Sequence, residues 1–484
     1  MMTNNKRKSK GQVYTPDYLV CNMLDWAGYN GSGILRRHAM DNSCGDGAFI
    51  CQMSDRYCRE FLKISSNRER LRHELETYIH GIEIDPAAHQ KCIENLDRTV
   101  GRYGLTGCDW DILCADALEA SKYRRGMDFV IGNPPYVRIH NLGESYSGVK
   151  GYNFGSRGMT DLYLVFYELG LNQLGEGGTL CYVTPNSWIN SVAGREMRNY
   201  LNRNRNIKDI VDIGQYQPFD ASTYTLVTVL KKESQDRFNY YTYDGKGKER
   251  CYRDSLSYGD SFIEGNFVLG TRKQLEGFRN IVCSDSGSYV KVKNGLSTQS
   301  DDIFIRDSFD FDDMVIPMLK ASTGQWKKGF YPYDPDGHPY SKDYIFSHKK
   351  MAEYLNANKT ALLKGRDESL CPDWYLYGRT QALCDVSQNK VAVNKIIKDA
   401  DSLKISDVPA GEGTYSGYYV RGNVSQKQIS SILRSHEFMD FVALHQIYKS
   451  SGYYYFGSQD LETFLNYKMT QLAREDKRCR IRHL

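Results

Sequence analysis

The 484-residue chain predicts an α/β fold in two domains, and three observations predict it. Over residues 1–240, short apolar β-branched runs alternate with helical patterns, the layout of βα units. Four consecutive runs close on an acidic or amide residue, at the edge where open α/β sheets bind ligands. After Lys231-Lys232 the alternation fades into short Tyr-rich strands, turns and scattered basic residues. A boundary is therefore expected near 235–260, with Asp244 to Arg250 as linker, dividing the chain into 1–240 and 241–484.

The elements follow in order. Gly11 to Pro16 precedes a helical pattern from Tyr18 to Trp26. Thr15 is expected as N-cap and Pro16 at the first helical position, which leaves N–H groups and a positive dipole end for a carboxylate. Ile34 to Met40 is a poor strand, interrupted by Arg36, Arg37 and His38, and ends in Asp41-Asn-Ser-Cys-Gly45-Asp-Gly47 before a long helix. Two glycines let a ligand approach the backbone, and Asp41 can hold a cation or hydroxyl. The third glycine of a dinucleotide fingerprint is missing, so a pyrophosphate is not favoured. Tyr78 to Ile84 is a second strand; Glu83 at its end can take both hydroxyls of a ribose. A helix from Ala87 to Val100 leads to a third strand, Trp110 to Leu113, and to Asp116-Ala117, where the carboxylate could accept from an adenine amino group.

The fourth run, Phe129 to Ile131, is broken by Gly132 and followed by Asn133-Pro134-Pro135-Tyr136. Two prolines fix two φ angles near −65° and push their predecessors into extended backbone. The corner holds one amide side chain, its carbonyls and one aromatic ring in nearly fixed relation. A flat heteroaromatic amine fits there, its NH2 donating to the Asn133 side-chain oxygen and the Pro134 carbonyl under the Tyr136 ring.

Residues 140–160 are rich in Gly, Ser, Asn and Tyr without apolar period, as in functional lids. Asp161 to Leu174 reads as an apolar helix, Gly175 to Gly178 as a turn, and Thr179 to Val183 as a strand. Ser191 to Arg203 is a further helix. Ile207 to Ile213 and Tyr224 to Leu230 form an antiparallel pair joined by Gly214 to Thr223, which carries Phe219.

Composition sets bounds. A net charge of +4 permits a nucleic-acid partner without demanding one. The excess of Tyr, 37 against 19 Phe and 5 Trp, suits either wet interfaces or strand-rich cores. Thirteen cysteines without Cys-x-x-Cys pairs read as buried thiols of a reducing compartment rather than metal ligands; no metal is expected. Cys44, Cys51 and Cys58 share a helical stripe by spacing. No apolar run reaches membrane-span length, and the basic N-terminus lacks a secretory core. The expected location is cytoplasmic.

These stations, in order, resemble the motifs of gamma-class S-adenosylmethionine-dependent DNA adenine-N6 methyltransferases of type II restriction-modification systems. The matching residues are Tyr14-Thr15-Pro16, Asp41-x-x-Cys44-Gly45-x-Gly47, Glu83-Ile84-Asp85-Pro86, Asp116-Ala117 and Asn133-Pro134-Pro135-Tyr136. Gly178-Thr179-Leu180, Pro185 to Trp188 and Phe219 to Leu230 are similar to the later sheet motifs. Leu363 to Arg366 and Trp374 to Arg379 are similar to segments of the family's specificity domains. The resemblance implies a Rossmann-like domain with a mostly parallel seven-stranded sheet and a mixed α+β target-recognition domain. The charged first strand and the long stretch from Gly47 to Glu83, which implies an insertion, depart from the pattern.

The resemblance also implies roles. Tyr14, Thr15 and Pro16 hold the methionine carboxylate of the cofactor. Asp41 and the backbone from Ser43 through Cys44 and Gly45 to Gly47 surround its amino-acid part. Glu83 takes the ribose, Ile84 packs on the adenine, and Asp116 with Ala117 reads its amino group; Asn133 borders the cofactor too. The catalytic group is Asn133, Pro134, Pro135 and Tyr136. Tyr136 and Phe219 flank an everted adenine of double-stranded DNA, and Lys364, Arg366 and Arg379 contact DNA. A monomer is implied, working beside a separately encoded endonuclease or as an orphan, without room before Asp41 for a fused nuclease. Protein-glutamine and rRNA methyltransferases, which share the Asn-Pro-Pro-Tyr grip, are the rival readings.

Overall fold

The computed structural model describes residues 15–139, 148–149, 151–157, 159–214, 216–219, 224–445, 447–449 and 452–482. Tyr14 and residues 140–147 of the expected lid lie outside them. Two units are present, Met1–Glu276 and Gly277–Leu484.

The first unit is built on one large mixed sheet. Its strands are β1 (Ala39–Asp41), β2 (Ile79–Glu83), β3 (Asp111–Cys114), β4 (Met127–Gly132), β5 (Leu174–Pro185), β6 (Ile207–Asp212), β7 (Thr225–Lys231), β8 (Arg237–Asp244) and β9 (Glu249–Ser257). Their spatial order is β3-β2-β1-β4-β5-β7-β6-β8-β9. From β3 to β5 neighbours run parallel, whereas β7 is antiparallel to both β5 and β6. The sheet has nine strands rather than seven, because β8 pairs parallel with β6 and β9 returns antiparallel beside it. The residues expected as a linker, Asp244 to Arg250, are therefore the turn of a hairpin and its flanks, and position 240 falls inside β8.

The order reverses between β1 and β4: the chain winds outward from β1 to β3, then returns to β4 on the other side. Such a switch point opens a crevice at the carboxyl ends of the two strands. The helices of this unit include α1 (Asp17–Ala27), α2 (Ala48–Leu62), α3 (Arg68–Tyr78), α4 (Pro86–Gly101), α5 (Leu162–Gln173) and α6 (Arg195–Asn204). Apolar faces of α1, α2 and α4 supply Leu19, Met23, Ile50, Met53, Leu96 and others to one buried cluster against the sheet.

Local differences from the expectation have physical causes. The first strand shrinks to three residues, since Ile34 lies in a 3-10 turn and Arg36 adopts a left-handed φ of 59°. The insertion after Gly47 is a second helix, α3, started by Asn67 accepting from Arg70 N. Gly175 to Gly178 belong to β5, whose ladder to β4 slips in register between Met127 and Phe129. Helix α1 starts at Asp17 with Pro16 as the capping residue, so Thr15 lies one position before the cap.

The second unit contains an antiparallel four-stranded sheet in the order Val290–Asn294, Tyr418–Gly422, Lys390–Val393, Ile405–Val408. A second four-stranded sheet contains Val315–Lys320 and Gln325–Phe330. With the helices Lys349–Leu363 and Ser458–Arg482, the unit is mixed α and β. Its core is strongly aromatic, with Tyr331, Tyr333, Trp374, Tyr375 and Tyr377 all buried. Strand-rich packing thus accounts for many of the tyrosines here. The thiols divide: Cys44, Cys58, Cys92 and Cys181 are buried, but Cys114, Cys283 and Cys384 are exposed. Cys44 sits in the loop before α2, so the seven-residue spacing places only Cys51 and Cys58 on that helix.

The β8–β9 hairpin is tied to the sheet by charge. Asp209 of β6 is 1% exposed, and its carboxylate accepts from Asn239 Nδ2 at 2.9 Å and Arg250 Nη1 at 3.1 Å. Removing the guanidinium leaves a buried carboxylate short of its counter-charge. Arg250→Met is expected to lower unfolding free energy by about 3 kcal/mol, measured by urea denaturation.

Candidate active site

The loop from Asp41 to Gly47 is shaped by its own backbone. Asp41 Oδ1 accepts from Ser43 N at 3.0 Å, Cys44 N donates to Ile82 O at 2.9 Å, and Gly45 N donates to Glu83 Oε2 at 2.9 Å. Gly45 and Gly47 take φ of 57° and 100°, left-handed values that glycine adopts without Cβ strain. A Cβ on Gly47 would stand 3.0 Å from Cys92 Sγ, so the turn into α2 is also packed.

Glu83 bridges this loop to the next. Its other oxygen, Oε1, accepts from Asp85 N at 2.8 Å. An ionised carboxylate has about four acceptor positions, so these two bonds orient it and leave capacity for hydroxyls. Ile84 beside it is 63% exposed, an isolated apolar face at a strand end. Asp116 Oδ1 accepts from Leu118 N at 2.9 Å, which fixes the turn after β3, and Ala117 is buried.

The proline corner emerges from β4 next to β1. Gly132 lies so close to Asp41 that a Cβ there would be 2.5 Å from Oδ1. Asn133 is then held from two further sides: its Nδ2 donates to Thr15 Oγ1 at 3.0 Å, and Ser43 Oγ donates to its backbone carbonyl at 3.4 Å. The Tyr136 hydroxyl donates to Val183 O at 2.9 Å, and burial keeps the phenol protonated by pushing its pKa well up. Its ring meets Phe219 edge to face, centroids 6.5 Å apart and planes at 87°. Tyr163 approaches it similarly at 6.3 Å. Phe219 is thus at the corner as expected, although the two rings are perpendicular rather than parallel.

The structure therefore brings together Thr15, Pro16, Asp41, Ser43 to Gly47, Glu83, Asn133 to Tyr136 and Phe219 around the switch point. What the sequence did not signal are the main-chain partners, such as Val183 O, and the Asn42–Gln173–Tyr182 network behind Asp41. There Asn42 Nδ2 donates to Gln173 Oε1 at 2.8 Å, and Tyr182 donates to Asn42 Oδ1 at 2.9 Å. A glycine closing an apolar strand, Gly132, was the one visible hint of close approach.

Lys364, Arg366 and Arg379 belong to the second unit. Arg379 lines a cleft of about 610 Å³ together with Gln299, Asp301, Gln381 and Lys395. Lys364, left-handed at φ 52°, donates from Nζ to Gln299 O at 2.6 Å. Arg366 is exposed, with Nε donating to Leu363 O at 3.1 Å. Trp374, Tyr375 and Tyr377, which flank Arg379 in sequence, are core residues.

Residues 60–219 match the family described as Eco57I restriction-modification methylase. The match to the methylase family starts inside α2 and runs through the proline corner to Phe219. Among curated proteins, the chain is 28% identical over 424 residues to the Type II methyltransferase M.BstVI of Geobacillus stearothermophilus, covering 74% of each. It is 25% identical over 461 residues to the Type II restriction enzyme and methyltransferase RM.Eco57I of Escherichia coli, covering 74% of this chain and 46% of that protein. The chain thus spans about half the length of that relative. Of solved structures, the Type IIL restriction-modification enzyme MmeI in complex with DNA superposes with a TM-score of 0.67 at 14% identity. That likeness covers 94% of this chain and 68% of MmeI, and is one of fold.

Asp41 carries a pH signature. Burial, and secondarily the Glu83 charge, push its carboxyl from an ordinary 3.8 up to about 7 against the opposing Ser43 N–H. Between those values the folded chain holds a proton that the unfolded chain has released. Stability is therefore expected to fall as pH rises through that window, by at most about 1.4 kcal/mol per pH unit. In urea melts across the window, Asp41→Asn should flatten this slope.

Proposed function

We propose that the chain is a site-specific DNA methyltransferase that moves a methyl group from S-adenosylmethionine to N6 of an adenine everted from double-stranded DNA. The observation that supports it most is the seating of Asn133-Pro-Pro-Tyr136 at the end of β4, against the Asp41–Gly47 loop of β1. The relatives named Type II methyltransferases support a setting in a restriction-modification system. A separately encoded endonuclease is the partner that arrangement calls for.

The crevice fits such a cofactor. The Asp41–Gly47 turn offers glycine backbone for close approach, Glu83 is a fixed acceptor for ribose hydroxyls, and exposed Ile84 offers an apolar face to a purine. Thr15 and Pro16 precede a helix start whose N–H groups suit a carboxylate, and Asp116 suits an amino group. When bound, the cofactor supplies an electrophilic methyl on sulfur.

The residues of this chain then act on the amine. The exocyclic nitrogen of adenine shares its lone pair with the ring, and no neutral-pH base removes its proton usefully. Asn133 Oδ1 and the Pro134 carbonyl accept its two N–H bonds and draw the lone pair out of the ring plane. As nitrogen takes the methyl from sulfur and becomes positive, the same two oxygens stabilise it, and one N–H proton then leaves to solvent. Tyr136, locked by Val183 O, covers one face of the base. Phe219 must turn from its edge-on pose to cover the other, which is worth ~1–3 kcal/mol of stacking. Everting the base costs a few kcal/mol, which this stacking helps to offset. In the second unit the polar cleft holding Arg379, with Lys364 bonded to the carbonyl of its lining residue Gln299, suits base edges and phosphates; Arg366 adds a surface cation.

The test is transfer from labelled cofactor to duplex DNA, to RNA or to a protein release factor, followed by sequencing of modified bases in DNA from an expressing host. Label in DNA adenine is expected; label only in RNA or protein would overturn the reading. Asn133→Ala is expected to cut turnover about a hundredfold or more while calorimetry shows cofactor binding retained.

A further inference from the structure

Asn133 must present oxygen, not nitrogen, to an incoming amine. The two ends of a primary amide have nearly the same shape, and its terminal torsion is broad and roughly two-fold. A reversed side chain would fit the same space and set donor against donor. Something in the structure must therefore choose the orientation, and the choice cannot come from sterics.

The contact that singles out one end is Thr15. Its side chain is buried, 3% exposed, and its Oγ1 lies 3.0 Å from Asn133 Nδ2. It does not cap α1, because Pro16 takes the capping position and carries no side-chain cap. The hydroxyl is thereby released from the role expected of it and aimed at the corner 118 residues away in sequence. Two further contacts at the corner fix position but not amide polarity. Gly132 abuts Asp41, and Ser43 Oγ reaches the Asn133 backbone carbonyl.

We propose that Thr15 is a positioning residue for Asn133, whose hydroxyl accepts from the amide NH2 and so turns the amide oxygen toward the target amine. This rests on the proposed function. A threonine hydroxyl both donates and accepts, so its hold is directional once its own proton is committed. A carboxylate at the start of α1, as the cofactor reading requires, would be the acceptor for that proton. With it committed, the hydroxyl oxygen can only accept, and Asn133 can meet it only with nitrogen. Binding at the helix start thereby orients the acceptor for the second substrate.

The experiment uses the full chain and the duplex identified by the sequencing above, with 2-aminopurine placed beside the target adenine, which keeps its own N6 amine. Single-turnover transfer at saturating cofactor is measured for Thr15→Val, Thr15→Ser, Asn133→Ala and the double variant Thr15→Val with Asn133→Ala. Thr15→Val is expected to slow transfer about tenfold to a hundredfold, and Thr15→Ser to recover to within about threefold of the parent. In the Asn133→Ala background the same Thr15→Val change should cost less than about threefold, because its target is gone. Independently of transfer, a non-reactive cofactor analogue should tighten binding of the fluorescent duplex in the parent and in Thr15→Ser, and fail to do so in Thr15→Val. Equal losses in both Asn133 backgrounds, or a parental rate in Thr15→Val, would overturn the positioning role while leaving the methyltransferase reading intact. A parental rate in Asn133→Ala would overturn both.

Discussion

The crevice of the first unit depends on how closely two strand ends approach. Gly132 at the end of β4 lies against the carboxyl group of Asp41 at the end of β1, with no room for a Cβ between them. Because these strands flank the reversal of strand order, that contact joins the Asp41–Gly47 loop of one to the proline corner of the other. Two groups drawn from distant stretches of chain become neighbours at the crevice. The elevated pKa of Asp41 has the same origin, since the packing that admits Gly132 also excludes water.

Most of this crevice was legible in the sequence because its determinants are local. A strand end, a left-handed glycine or a pair of prolines announces itself over a handful of residues, which is why Asp41 to Gly47, Glu83 and Asn133 to Tyr136 were found in order. Thr15 was found for the wrong local reason: the Thr-Pro pair suggested capping, whereas its hydroxyl is spent on Asn133. Long-range pairing was not legible. Nothing in Arg237 to Ser257 distinguishes a hairpin added to the sheet edge from the start of another domain, since both read as Tyr-rich alternation. Parallel pairing of β8 with β6 decides it.

The second unit illustrates the opposite difficulty. Its aromatic run Trp374 to Tyr377 resembles recognition segments, yet these rings are buried and serve the core. Only the basic residue that follows them, Arg379, opens onto the cleft. Composition could not separate wet from packed tyrosines, because the phenol suits both settings and only burial tells them apart.

The hairpin of β8 and β9 has a practical corollary for dissecting the molecule. Asn22 Nδ2 donates to Lys248 O at 2.7 Å, and the Lys248 ammonium sits 4.6 Å from the centre of the Tyr18 ring, so the hairpin turn grips the helix that follows Thr15. A fragment trimmed at residue 240 would sever β8, discard that grip and bare the hydrogen-bonding rim of β6. Bare rims recruit strands from other molecules, so such a fragment would tend to clump, and excision should run through Glu276 instead.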